Sequence, residues 1–136
     1  MAKIILGKRP VSFKKKVTFK LLDGSEGIIE CDFKYRTRSE YGEFADRVTR
    51  ELVERTTAQA KANEQAAVKK DLGLEFSLGV AVEKNADTLM GILNGWDLDA
   101  SLTPETARQL ADEVPGACAA IVEAYRAAVV DGHLGN

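Results

Sequence analysis

Two runs of alternating apolar and polar residues, separated by a short glycine-containing loop, constrain the fold most strongly. The apolar members are Val17, Phe19 and Leu21 in the first run and Ile29, Cys31, Phe33 and Tyr35 in the second. Residues 23–27 between the runs have the sequence Asp-Gly-Ser-Glu-Gly. Period-two runs around such a loop predict a β-hairpin with one apolar face.

The apolar pattern also predicts a register for this hairpin. The register that keeps one whole face apolar pairs Leu21 with Ile29, Phe19 with Cys31, and Val17 with Phe33. A slip of one residue would turn the apolar side chains of one strand toward water. Because an isolated hairpin is only marginally stable in water, the rest of the chain must cover the apolar face.

A helix is predicted directly after the hairpin. Thr37 and Glu40 have the spacing of a capping box, in which each side chain accepts a hydrogen bond from a free backbone N–H at the helix start. Apolar residues then follow at helical spacing, namely Tyr41, Phe44, Val48 and Leu52. We therefore expect Phe19, Phe33, Phe44 and Val48 to form one core cluster.

The segment that follows has high helix propensity but little to bury. Between Thr56 and Ala67 the only apolar residue type is alanine. Two interpretations remain open for residues 56–70, an exposed helical arm that continues the helix or a mobile linker. As an arm, the segment could bind a partner or a second copy of the chain, and its candidate partner-binding residues are Gln59, Lys61, Glu64 and Gln65.

The remainder of the chain is predicted to be helical. One helix carries an apolar stripe that ends in Leu93, and Asn94-Gly95 stops it, which leaves Trp96 in a turn. Thr103-Pro104 is typical of a helix start, and Pro115-Gly116 interrupts the helix that follows. The expected fold class is α+β, an antiparallel hairpin or small sheet packed against a mainly helical remainder. We expect one domain over residues 1–136, with the hairpin region at 1–36 and the helical region at 37–136.

No group of residues in the sequence has the spacing of a catalytic, cofactor or metal site. The one histidine, His133, lies in the C-terminal tail, and Cys31 and Cys118 are far apart and outside any metal-binding spacing. Asp97 begins a sequence like a calcium loop, but Leu102 occupies its glycine position and Arg108 its closing acidic position. We therefore expect a binding protein with no enzymatic activity and no cofactor.

Trp96 is the remaining candidate for partner binding. Tryptophan is enriched at interface hot spots, where its large ring fills a pocket. The competing interpretation is a ring that closes the core between two helices.

Charge is distributed unevenly along the chain. Seven basic residues and no acidic residue precede Asp23, so the other 12 basic and 21 acidic residues leave an excess of nine negative charges. A basic N-terminal arm could bind nucleic acid, but its lysines also fit a solvated edge strand, which we favour. No apolar run approaches the length of a secretion signal or a membrane span, so we expect a cytoplasmic protein.

Several segments together resemble the phage tail assembly chaperones, a family found in phages and prophages of Gram-negative bacteria. The matching segments are residues 1–10, the hairpin with its extension through Arg38, residues 93–97, 110–115 and 123–126, and the closing residues 134–136. The resemblance implies a non-enzymatic protein that keeps the tape-measure protein soluble while tail-tube subunits polymerise around it. Tape-measure and tail-tube proteins are thus the implied partners, with self-association left open, and the family brings no catalytic residues.

Overall fold

The computed structural model describes residues 5–65 and 73–132. Within these residues the chain forms three strands and four helices. In chain order they are β1 (Ser12–Lys20), β2 (Glu26–Lys34), α1 (Arg38–Gln65), α2 (Leu74–Ile92), β3 (Leu93–Trp96), α3 (Pro104–Glu113) and α4 (Pro115–Val130). The expected α+β class, a small antiparallel sheet with a mainly helical remainder, is confirmed.

The hairpin is present as predicted, but its predicted register is wrong. Val17 pairs with Ile29 rather than with Phe33, and Phe33 pairs with Phe13. Leu21 pairs with nothing in the sheet and is part of the loop. The displacement is an even number of residues, so the predicted apolar residues of both strands still share one face.

Local turn chemistry explains the difference in register. The loop closes between Leu21 and Ser25, whose backbone N–H and C=O groups bond at 2.8 Å, with Gly24 at φ 88°. Asp23 Oδ1 accepts a hydrogen bond from the backbone N–H of Ser25 at 2.9 Å, which stabilises this earlier turn. Strand pairing therefore begins at Lys20 and Glu26, and the apolar pairing of Leu21 with Ile29 is lost.

A third strand stands where the sequence predicted a turn. Residues Leu93–Trp96 form β3, which pairs antiparallel with β2 at the edge of the sheet. Two further bonds hold its end, from the backbone N–H of Asp97 to the Glu30 carbonyl (3.2 Å) and from the Glu30 N–H to Asp97 Oδ1 (2.9 Å). Four residues carry too little pattern to predict a strand, and only the neighbouring edge of β2 makes it one.

The core lies between the inner face of the sheet and the helices. Phe33, Phe44 and Val48 are buried in one cluster, and Phe19 packs against it at the margin, so the expected core cluster is confirmed. The predicted capping box is also confirmed, since Thr37 Oγ1 accepts from the Glu40 N–H at 3.2 Å and Glu40 Oε1 accepts from the Thr37 N–H at 2.9 Å. α1 begins where the sequence predicted.

The link between β2 and α1 fixes the helices against the sheet. Arg36 donates a hydrogen bond to the Gly91 carbonyl (2.7 Å) near the end of α2, and Arg38 donates one to the Val130 carbonyl (2.7 Å) at the end of α4. Tyr125 donates from its hydroxyl to the Lys34 carbonyl at 2.8 Å. Cationic side chains at helix C-termini donate hydrogen bonds to the last backbone carbonyls and interact favourably with the negative end of the helix dipole. The segment between β2 and α1 is thus hydrogen-bonded to the C-terminal ends of α2 and α4.

The starts of the last two helices agree with the sequence. Thr103 caps α3 by accepting from the Thr106 N–H at 3.1 Å, with Pro104 in the first turn. Pro115 starts α4 immediately after α3 ends, and Gly132 follows α4 at φ 66°. α3 packs alongside α2.

Candidate functional site

Trp96 lies at the margin of the core. Its ring is partly buried against the core cluster, and its indole Nε1 donates a hydrogen bond to the Ala100 carbonyl at 2.7 Å. The polar atom of the ring is thus satisfied within the chain. This placement favours the packing interpretation, and partner binding by Trp96 stays a prediction.

The other candidate partner-binding residues lie on the last turns of α1. The α1 backbone is helical through Gln65. The side chains of Gln59, Lys61, Glu64 and Gln65 lie outside the described part of the structure, as do residues 66–70 of the predicted arm. A binding role for this segment therefore also stays a prediction.

The structure brings together a groove between α2 and α3 that the sequence analysis did not identify. The groove has a volume of about 550 Å³. It is lined by Glu75, Leu78, Gly79, Val82, Glu105, Arg108, Gln109, Asp112 and Glu113. Leu78 is 56% exposed, and Leu74, one turn earlier on α2, is 74% exposed. The apolar lining residues, Leu78, Gly79 and Val82, form the floor of the groove.

Ion pairs hold the helices around the groove. The Glu83 carboxylate on α2 pairs with Arg108 of α3, and its other oxygen lies 4.0 Å from Arg55 of α1. Arg55 also pairs with Asp87 on α2, one turn further along. Three helices are thereby tied at the end of the groove nearest the core. Such exposed pairs contribute little stability each.

The rim of the groove is acidic. Among the residues that the structure describes, four of the lining residues are carboxylates, Glu75, Glu105, Asp112 and Glu113, and the one lining cation, Arg108, is paired with Glu83. All four carboxylates belong to exposed residues. The groove therefore combines a negative potential with an apolar floor, which suits a cationic, amphipathic ligand.

Both cysteine side chains, Cys31 and Cys118, are buried. Burial raises the pKa of the Cys31 thiol to about 12 and that of the Cys118 thiol to about 11, so neither supplies a thiolate near neutral pH. Across residues 5–65 and 73–132, no three histidine, cysteine or acidic side chains converge as metal ligands. His133 lies outside these residues.

The lysines of β1 are balanced by the strand beside them. The exposed residues Lys16 and Lys20 stand opposite Glu30 and Glu26 of β2 in the sheet register. Further toward the N-terminus, Arg9 pairs with Glu40 at 3.1 Å. Opposite charges across neighbouring strands reduce the positive potential of this face. The placement favours the solvated-edge interpretation of the basic region.

A signal for the groove was present in the sequence. The stripe formed by Val82, Ala86 and Leu89 continues backward at helical spacing to Leu78 and Leu74. The stripe is longer than the ten-residue helix α3 that lies beside it. Periodicity shows which face of a helix is apolar, but the uncovered part of that face becomes visible only when the neighbouring helix is in place.

The fold defines a small α+β protein. The family model described as "Phage tail assembly chaperone" matches residues 1–136, so the chain belongs to the phage tail assembly chaperone family. No curated protein and no solved structure matches the chain. No helix in the described part of the chain is long and apolar enough to cross a membrane.

Proposed function

We propose that this protein binds the tape-measure protein during phage tail assembly and keeps it soluble, without enzymatic activity. Family membership supports a chaperone role in tail assembly. The α2–α3 groove is the observation that carries the proposal, since it presents Leu78 and Val82 between acidic rims. A chaperone of an elongated client needs such an apolar surface, because shielding exposed apolar segments of the client prevents aggregation. The host cytoplasm, where phage tails assemble, is the proposed location.

The end of α1 is a second proposed contact surface. From Thr56 onward the α1 sequence offers only alanine as an apolar residue, and Thr57 and Ala58 are exposed. A helix with no apolar side to bury gains little from its own domain and is ordered more firmly by a partner helix. Client binding or self-association through residues 56–70 fits this composition, because alanine lets helix backbones approach closely. Tail-tube subunits are a further proposed partner.

Binding to nucleic acid is the less favoured function. The basic region before Asp23 suggests this function, but the acidic residues opposite Lys16 and Lys20 reduce the positive charge that nucleic acid would contact. Salt dependence separates the two functions, because contacts to phosphates give a steep linear loss of log affinity with log salt concentration. A steep loss of DNA or RNA affinity, with no affinity for the tape-measure protein, would favour nucleic acid.

The direct test is an aggregation assay with the tape-measure protein of the same phage or prophage. The tape-measure protein is diluted from denaturant with and without the chaperone, and light scattering and sedimentation of the mixture are measured. We expect scattering to fall at a defined molar ratio and a stable complex to sediment as one species. Equal scattering with and without the chaperone, and no complex, would contradict the proposal. Lysozyme at the same concentration controls for nonspecific protection.

A further inference from the structure

The geometry points to the α2–α3 groove as the docking site for a basic amphipathic helix of the client, an inference that rests on the proposed function. The occupant presents an apolar stripe to the groove floor and lysine or arginine side chains to its rims. Three independent features of the groove support this ligand chemistry.

The first feature is the shape of the apolar floor. Leu78 and Val82, one helical turn apart on α2, line the groove together with residues of α3, and Leu74 lies one turn before Leu78 on α2. An apolar row of this kind, with a neighbouring helix on one side, is the surface that a third helix covers in helix-in-groove recognition. The floor therefore matches the apolar stripe of one amphipathic helix.

The second feature is the charge of the rims. The acidic residues stand on both sides of the floor, Glu75 on α2 and Glu105, Asp112 and Glu113 on α3. Arg108, the one cation among the described lining residues, is paired with Glu83 on α2. A neutral or acidic helix would bring no compensating charge to these carboxylates, whereas a helix flanked by lysine and arginine residues would complement them.

The third feature is Gly79, in the interior of α2. A Cβ added at Gly79 would meet no heavy atom of another described element within 4 Å, so no contact within the described chain requires a glycine there. Gly91 on the same helix differs, because a Cβ there would overlap the Phe44 ring. Glycine inside a helix weakens the helix relative to alanine. At Gly79 the absence of a side chain leaves room for the backbone of a docked helix to approach the floor closely.

The test measures binding of overlapping 25-residue segments of the tape-measure protein to the full chain by fluorescence anisotropy. We expect the segments with one apolar face and a net positive charge to bind most tightly. Replacing Leu78→Asp should weaken their binding about tenfold or more, as for the centre of an interface. The matched control is Ile28→Asp, because Ile28 is 58% exposed and lies on the outer face of the sheet. This control should change the affinity less than about twofold.

Two further variants, one of them with a matched control, test the groove in case Leu78→Asp does not fold. Reversing charge with Glu105→Lys and Asp112→Lys should weaken binding at low salt, and the difference should shrink at high salt. Asp46→Lys with Glu54→Lys on α1 makes the same change of net charge away from the groove and should leave binding close to the unchanged protein. Gly79→Ala should raise the melting temperature of the free chaperone while weakening the complex, an outcome that damage to the fold does not produce.

The outcomes separate this inference from the proposed function. Tape-measure segments that bind with equal affinity to the groove variants and to the controls would overturn the groove assignment and leave the proposed function intact. A designed 18-residue leucine–lysine helix that binds through the groove, when no tape-measure segment does, would keep the groove chemistry and overturn the client. If neither the tape-measure segments nor the designed helix binds, the groove assignment is overturned, and the aggregation assay decides the proposed function separately. A change of self-association in the groove variants, seen by sedimentation equilibrium, would assign the groove to a second copy of the chain.

Discussion

The two ends of α2 carry the same kind of apolar side chain in opposite surroundings. At the C-terminal end, Leu89 and Ile92 are fully buried against the sheet and the other helices. At the N-terminal end, Leu74 and Leu78 are largely exposed, and Leu78 lines the groove together with the acidic residues of α3. One continuous stripe thus serves the core at one end and a surface at the other. An apolar face on a helix predicts that another element packs on it. The position of the neighbouring helices and strands decides whether that element belongs to the same chain.

The two glycines of α2 divide in the same way. Gly91 is required by the Phe44 ring that lies over it, and Arg36 donates to its carbonyl. Gly79 is in contact with no other described element at the position of a Cβ. The buried end of α2 is therefore constrained by packing, while the exposed end tolerates change in the free protein.

The largest expected effect is the difference between two leucine truncations on α2. Leu89→Ala removes a side chain with no solvent exposure and should lower the free energy of unfolding by about 2–5 kcal/mol, because a cavity remains. Leu78→Ala should lower it by no more than about 0.5 kcal/mol, because its side chain is already in water. Urea denaturation followed by circular dichroism measures both. Similar losses for the two variants would mean that the groove is internally filled.

The two glycines should respond to alanine with opposite signs. Gly91→Ala forces a methyl group into the Phe44 ring and should lower the free energy of unfolding by about 1–3 kcal/mol. Gly79→Ala should raise it by about 0.5–1 kcal/mol, because alanine favours the helix. Thermal unfolding of both variants provides the measurement. Destabilisation by Gly79→Ala would show that a part of this chain already packs on the groove.

A smaller effect is expected at the middle of α2, between its exposed and its buried end. Glu83 joins Arg108 of α3 and Arg55 of α1 at the surface. Glu83→Gln should lower the free energy of unfolding by about 1 kcal/mol or less, because exposed ion pairs are screened by water. The loss should disappear in about 1 M NaCl, where the screening length is near 3 Å. Asp46→Asn serves as the control, and a loss that persists at high salt would show that packing, not charge, is responsible.

The smallest free energy in this comparison is expected for local opening at the end of α1. This prediction extends the comparison from α2 to a second helix. Amide hydrogen exchange across Thr56–Ala67 should be fast in the free protein, because the segment has almost no apolar surface to bury. Exchange around Phe44 and Val48, which are buried, should be slow. Client binding should slow exchange at the end of α1. Strong protection there in the free monomer would contradict the arm, and protection elsewhere on binding would place the client on another surface.

The sequence by itself determined the features that depend on neighbours in the chain. Thr37 and Glu40 cap α1, and Thr103 caps α3, since the bonds involved span three residues. The alternation of Val17, Ile29 and Phe33 placed these side chains on the inner face of the sheet, even though the pairing was wrong. Periodicity determines a face because it follows from backbone geometry alone.

Only the tertiary structure decided the features that depend on distant contacts. The strand β3 exists because its backbone meets the free edge of β2, and Arg36 and Arg38 become helix caps because α2 and α4 end beside them. The groove exists because α3 covers only part of the apolar side of α2. Residues far apart in sequence supply each of these partners. A local pattern states that a polar group or an apolar face needs a partner, and packing of the whole chain determines which partner it receives.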